Sequence, residues 1–200
     1  FTVGVIAVPS VETLERGAQA FYDFFVKQAG ISDFQVNPPF PGGTLNKAKS
    51  SLPLDPYRLG DFLVELCDTW LEHGFYNSIK VGPMSEILDY FIHGDGVIPC
   101  FWQANCANDF ICIDPRGNVS QCDCWVASYP EMHFGNLFNS SSLTTLLKSS
   151  NARQGFLGRP GVLVQNNDCA ECEHLALCHG GCPVRTYSTH NTLFDLYSVP

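Results

Sequence analysis

Between positions 169 and 182 the chain reads CAECEHLALCHGGC, four cysteines in fourteen residues. Thiols this close together restrict the local fold more than any apolar pattern does, because they must either be oxidised to disulfides or turn together onto a metal. Cys169 and Cys172 form a C-x2-C pair, which curls the backbone until both sulfurs face one point. Cys178 follows after five residues and Cys182 after three more. The His-Gly-Gly between the last two allows a tight bend. Amide N–H groups exposed by such a bend can donate to thiolate or sulfide and tune a redox centre. A disulfide staple, a zinc knot and an iron–sulfur ligand set all meet these constraints.

The placement of the other cysteines narrows the choice. Of ten in the chain, Cys67 stands alone and the other nine lie from Cys100 onward. Disulfide-stapled secreted domains are usually shorter and carry cysteines throughout, so the asymmetry favours metal. Zinc stays open, since four thiolates alone do not separate it from a 4Fe–4S cluster and His174 and His179 stand close by. The six histidines show no paired spacing and read as solvent-facing residues or local caps. Cys67 falls on the apolar side of a helix and Cys112 on a hairpin strand; both read as packing. Cys124, two residues from Cys122, is a candidate substitute ligand.

Composition excludes several functions. A formal charge of −9 with only eleven Lys and Arg argues against a reader of nucleic-acid backbone, which needs clustered cations. No run of about 18 apolar residues exists, so no membrane span is expected. The balance of 45% hydrophobic and 16% charged residues is that of a globular protein.

The first hundred residues read as α/β. TVGVIAV is a continuous β-branched run, expected as a parallel strand covered on both faces. Ser10 caps a helix with Glu12 and Thr13 in its first turn, and Leu14, Phe21, Phe24 and Phe25 give that helix one apolar face ending at Gly30. DFQVNPPF (33–40) follows as a second strand, completing a β-α-β unit. PGGTLNKAKSSLPLDP (41–56) reads as a loop. Pro56 then starts a helix to about His73, with Leu59, Phe62, Leu63, Leu66 and Trp70 on one side and Gly74 closing it. NSIKVG is a short strand and PMSEILDYFIHG a helix ending at Gly94. From Cys100 the texture changes: FICIDPRGNVSQCDCW (110–125) reads as a hairpin about DPRGN. FGNLF, a helix near 140–149 and a polar loop lead to the cysteine cluster. The domain boundary is expected near Asp95–Pro99.

The wider spacing of the cysteines is more specific than the cluster alone. Cys106, Gly117, Cys122, Cys169, Cys172, Cys178 and Cys182 spell C-x10-G-x4-C, a gap, then C-x2-C-x5-C-x3-C. This pattern, with FGNL at 134–137 and GGCP at 180–183, resembles the SPASM extension of radical S-adenosylmethionine (radical SAM) enzymes. The first hundred residues resemble the C-terminal half of the radical SAM barrel. The resemblance implies an α/β fold: the C-terminal part of a radical SAM partial (β/α) barrel over residues 1–96, then a small cysteine-rich α+β SPASM domain over 97–200.

It also implies two auxiliary 4Fe–4S clusters with interleaved ligands. Cys100, Cys106, Cys122 and Cys182 would hold an inner cluster; Cys169, Cys172 and Cys178 would hold an outer one, whose last ligand is expected past Pro200 or from another residue type. Asp123 corresponds to a general base that takes a proton from a substrate Ser or Cys in the sulfatase-maturating members. Gln35 and Asn37, near the C-terminal end of a strand, are candidates for contact with cofactor or substrate. The radical-generating C-x3-C-x2-C is absent from this sequence. That motif, S-adenosylmethionine and a third 4Fe–4S cluster are expected upstream of Phe1, and the 200 residues alone are expected to be inactive.

The implied activity is radical modification of a peptide or protein, such as formylglycine formation or thioether or carbon crosslinking. It would run in the cytoplasm with an external electron donor such as flavodoxin or ferredoxin. The alternative is a zinc-binding or ferredoxin-like module with no catalysis of its own.

Overall fold

The computed structural model describes residues 3–39, 54–73, 77–94, 98–103, 106–165 and 167–195. The main division of the chain falls between Pro99 and Cys100 and separates two compact units. Most of the expected loop 41–56, the helix stop at Gly74 and part of the expected boundary lie outside the described residues.

The N-terminal unit is built on a parallel sheet of β1 (Val5–Ala7), β2 (Asp33–Val36) and β3 (Lys80–Gly82), in that order. Val5 pairs with Phe34, and Phe34 in turn with Val81. The helices are α1 (Val11–Arg16), α2 (Ala18–Asp23), α3 (Pro56–His73) and α4 (Met84–His93). Ser10 and Thr13 close a reciprocal capping box at the start of α1, satisfying two N–H groups that the helix itself leaves unpaired. Leu59, Phe62, Leu66 and Trp70 of α3 recur on one face and pack with Phe34, Val36, Val81, Ala18 and Tyr22 into one core. Burying each such side chain is worth roughly 1.5–3 kcal/mol. Trp70 also donates its indole N–H to the Ile79 carbonyl at 2.7 Å, fixing α3 against the start of β3.

Two expectations for this unit need correction. The TVGVIAV run yields a strand of only three residues, and Ile6 is 69% exposed. Val5 and Ala7 point to the packed face of the sheet and Ile6 to the opposite, open face. The first helix is not continuous either. It breaks at Gly17, resumes as α2, and widens over Phe24–Gln28 into a π-helical turn. The break and the wider turn shift the register, so Phe21 and Phe25 reach the core whereas Phe24 faces solvent.

Apart from the 15-residue helix Asn151–Gln165, the C-terminal unit is built of short elements. β4 (Cys112–Ile113), β5 (Asn118–Ser120) and β6 (Gly135–Asn136) form an antiparallel sheet. The helices are α5 (Asp123–Ser128), α6 (Leu143–Ser149), α7 (Asn151–Gln165), α8 (Asn167–Ala170), α9 (Leu175–Cys178) and α10 (Pro183–His190). The hairpin turn forms where expected: Asp114 accepts from the backbone N–H of Arg116 and Asn118 and from the Asn118 amide. Those bonds, the Asn118 side chain foremost, hold the Asp114 carboxyl below its ordinary range. Gly117 adopts φ +81°, and a Cβ there would lie 2.7 Å from the Phe138 ring, so this motif position admits glycine alone on two counts.

The expected second hairpin strand stops at Ser120. From Asp123 the chain is helical, and the segment read as a polar loop before the cysteines is α7. Trp125 anchors the unit: it is fully buried and meets Phe156, Tyr129 and Tyr187 at ring separations of 4.9, 5.3 and 5.3 Å.

Candidate metal centre

All ten cysteines are free thiols, so none of them forms a disulfide staple. Four come from distant elements and face one another. Cys100 and Cys106 each open a single 3-10 turn, Cys100–Trp102 and Cys106–Asn108. Cys122 stands at the N-cap of α5 and Cys182 at the N-cap of α10. Burial pushes the Cys106 thiol up to about 12, and the nearby Cys182, Cys122 and Cys100 reinforce the effect in that order. Cys100 is likewise raised, by burial first and then by Cys182 and Cys122. The sulfurs of Cys106, Cys122 and Cys182 are partly buried and that of the exposed Cys100 stands beside them, so a negative charge on one is felt by the others.

Two of the four sit where the backbone counters that repulsion. Burial raises the Cys182 thiol, while the N–H groups of Val184 and Arg185, at the start of α10, act the other way. Cys122 is lowered outright, mainly by the Cys124 thiol, which donates to it, and further by the N–H groups of Trp125 and Cys124. Cys124 is correspondingly raised. Helix N-termini favour anions in this way. The geometry gives Cys124 the part of a hydrogen-bond donor to Cys122, with their sulfurs and the Asp123 carboxylate within 4.8 Å of one another.

No three of the sulfurs of Cys100, Cys106, Cys122 and Cys182 lie within that same 4.8 Å. Tetrahedral zinc, with Zn–S near 2.3 Å, holds its sulfurs about 3.8 Å apart. The soft thiol chemistry of the donor set fits an iron–sulfur cluster as well as zinc.

The second group follows the turn geometry of its spacing. The Cys172 N–H donates to the Cys169 carbonyl at 3.2 Å, and Gly181 N–H to the Cys178 carbonyl at 2.9 Å. His179, Gly180 and Gly181 all have positive φ, between 50° and 78°, and these three left-handed residues make the bend between Cys178 and Cys182.

The remaining sequence candidates fall elsewhere. Asp123 is exposed in the first turn of α5, one residue from Cys122. Gln35 is half-buried on β2, its side chain lying over Gly82, where no Cβ fits. Asn37 follows β2, its N–H donating to the Ala7 carbonyl at 2.9 Å; both residues belong to the N-terminal unit. Cys67 packs against the α3 core and Cys112 is half-buried on β4, as expected.

Sequence reasoning missed three supporting residues. Gln121, wholly buried, donates to the carbonyls of Cys106 and Phe110 at 2.6 and 3.2 Å, tying the turn of one thiol to the strand that leads to another. His179, read from sequence as solvent-facing or a local cap, is half-buried and bonds through Nδ1 to the Trp102 carbonyl at 2.7 Å. Arg159 is buried in α7. Its signal was legible: Phe156, Arg159 and Leu163 recur at helical spacing, and the outer two are apolar.

Comparison with known proteins agrees with this geometry. Residues 100–173 match the family model of SPASM, the iron–sulfur cluster-binding domain. The chain thus resembles radical SAM enzymes that carry a SPASM extension, as its cysteine spacing implied. Among curated proteins it is 26% identical, over 70% of its own length, to a serine-type anaerobic sulfatase-maturating enzyme of Bacteroides thetaiotaomicron. Among solved structures it shares its fold with anSMEcpe with bound AdoMet, at a TM-score of 0.75, 19% identity and 97% coverage of this chain. The same protein with bound AdoMet and the Cp18Cys peptide gives a TM-score of 0.70 at 20% identity. The chain spans 32% of the curated relative and 49–52% of the structural ones.

Proposed function

We propose that this chain is the cluster-bearing part of a radical SAM maturase that modifies a side chain of a peptide or protein, as in formylglycine formation or thioether or carbon crosslinking. The observation that carries this reading is the grouping of Cys100, Cys106, Cys122 and Cys182, drawn together from four separate turns and helix starts. These four would hold the inner auxiliary 4Fe–4S cluster, and Cys169, Cys172 and Cys178 would supply ligands to the outer one. Such clusters, when bound, supply a place for an electron released as product forms. Residues 1–96 would then be the C-terminal part of a partial (β/α) barrel, and 97–200 the SPASM domain. S-adenosylmethionine and a third cluster would be held by a part of the protein beyond this chain.

The chain's own residues have defined tasks in this scheme. Gln121 and His179 hold the turns that present Cys106, Cys122, Cys178 and Cys100. Asp123, exposed beside Cys122, would accept a proton from a substrate hydroxyl or thiol. Gln35 and Asn37, at the C-terminal end of β2, would contact cofactor or substrate. The peptide-bound structural relative supports a peptide substrate. An external donor such as flavodoxin or ferredoxin would supply electrons in the cytoplasm; no helix among the described residues is long and apolar enough to cross a membrane.

Anaerobic reconstitution of the full-length protein tests the reading. Visible absorption and about eight irons from the two auxiliary clusters, beyond those of the radical-generating one, are expected. Stoichiometric zinc in a colourless protein would overturn it. The interleaving of ligands is tested by Cys182→Ala, which should deplete the inner cluster more than the outer. Loss confined to the outer cluster's signal would show that Cys182 belongs with Cys169, Cys172 and Cys178.

A further inference from the structure

Arg159 is only 4% exposed, on the face of α7 that also buries Phe156 and Leu163. Its guanidinium is almost fully used. Nε donates to the Leu193 carbonyl at 2.8 Å and Nη1 to the Gly181 carbonyl at 3.1 Å. Nη2 donates to the Gly180 carbonyl at 2.9 Å and to the Thr186 hydroxyl at 3.1 Å. Every acceptor is neutral, and no ion pair among the described residues involves Arg159. A guanidinium taken out of water without a counter-charge is costly, and neutral acceptors offset only part of that cost.

Negative charge nearby would offset the rest of that cost, and the cysteines can supply it as thiolates. The bend that Arg159 grips, Gly180–Gly181, links Cys178 of the second group to Cys182 of the first. Arg159 also lines a small cavity together with Cys106, Gln103 and Pro183. Burial lowers the guanidinium's affinity for its proton, but negative charge on Cys182, Cys106, Cys169 and Cys178 opposes that loss, in that order. Those four thiols span both sets.

We propose that Arg159 is a positioning residue and the shared counter-ion of the two cysteine sets, locking the bend that joins them and stabilising the more negative, reduced state of the cluster each set holds. This rests on the cluster reading given above. Reduction adds one electron, and so one negative charge, to a cluster whose thiolates already carry negative charge. A fixed cation buried beside both raises the affinity for that electron. Lysine preserves the charge but not the four-bond fork, so the two contributions are separable.

The test is a dithionite titration of the reconstituted full-length protein, followed by paramagnetic resonance of the auxiliary clusters, with Arg159→Gln and Arg159→Lys beside the parent. At the parent's midpoint, Arg159→Gln should lower the reduced-to-oxidised ratio about tenfold, equivalent to 59 mV for one electron, at unchanged iron content. Arg159→Lys should stay within about threefold. A loaded Arg159→Gln with the parent's midpoint overturns the proposal. Should Arg159→Gln fail to fold or load, Arg159→Lys decides: loading at the parent's midpoint supports charge as the requirement. Failure of both variants, or a tenfold shift in Arg159→Lys, assigns Arg159 to bond geometry alone and overturns the proposal. A parent that binds no iron would sink the cluster reading instead.

Discussion

In the N-terminal unit the buried side chains are apolar with one exception among the described residues, Thr69; in the C-terminal unit Ser120, Gln121, Ser150, Arg159 and Thr186 are all buried. The difference tracks element length. An 18-residue helix, α3, can lay a continuous apolar face on a sheet, and that burial offsets much of the chain entropy lost on ordering it. Strands of two or three residues and helices of four to eight cannot do so, and the 15-residue α7 buries Arg159 between Phe156 and Leu163. They are held instead by directed bonds from buried polar groups and, on the proposed function, by metal. On the proposed function, the second unit would gain its final order from what it binds, whereas the first would not depend on metal.

Removal of metal is the strongest way to break this comparison. Chelation under anaerobic conditions should abolish hydrogen-exchange protection around Cys100–Trp102 and α8–α10 while leaving α3 and the parallel sheet protected. Equal loss in both units would show that the distinction is false. Next in size are the two anchors. Trp125→Ala should cost about 3–5 kcal/mol in the C-terminal unit, and Leu66→Ala about 2–5 kcal/mol in the N-terminal one. Denaturant titrations should show each loss confined to its own transition, and iron content should fall for Trp125→Ala but not for Leu66→Ala. The smallest effect is expected at Ser10→Ala, which removes the capping box of α1 for about 1 kcal/mol. Its midpoint shift should be the same with and without bound iron, since the cap belongs to the metal-independent unit.

Features set by neighbours in sequence were legible before the structure. Ser10 with Thr13, Pro56 at the head of α3, Gly94 behind α4 and the Asp114–Gly117 turn each act within one helical turn or hairpin. The cysteine spacing was legible for the same reason at C-x2-C and C-x3-C, where local bends do the work. What failed had non-local causes. α7 contains Pro160 and three glycines, a composition that disfavours helix. It forms because Phe156 and Leu163 find a core and Arg159 finds four acceptors from distant residues. The second strand of the hairpin gives way after Ser120 because the chain must turn Cys122 into an N-cap. The pairing of Cys100 with Cys182 depends on folding across the whole unit, and no local pattern encodes it. Only the family resemblance carried that information.

β1 has a consequence of its own. It pairs with β2 on one side, and among the described residues no strand covers the other. Its edge amides and carbonyls are a template for any extended chain that comes near, and Ile6 and Val8, both more than half exposed, add apolar surface beside it. Handled by itself, this stretch of sequence would therefore present a sticky seam. An extended segment of a second copy that paired there would lengthen the sheet and start aggregation.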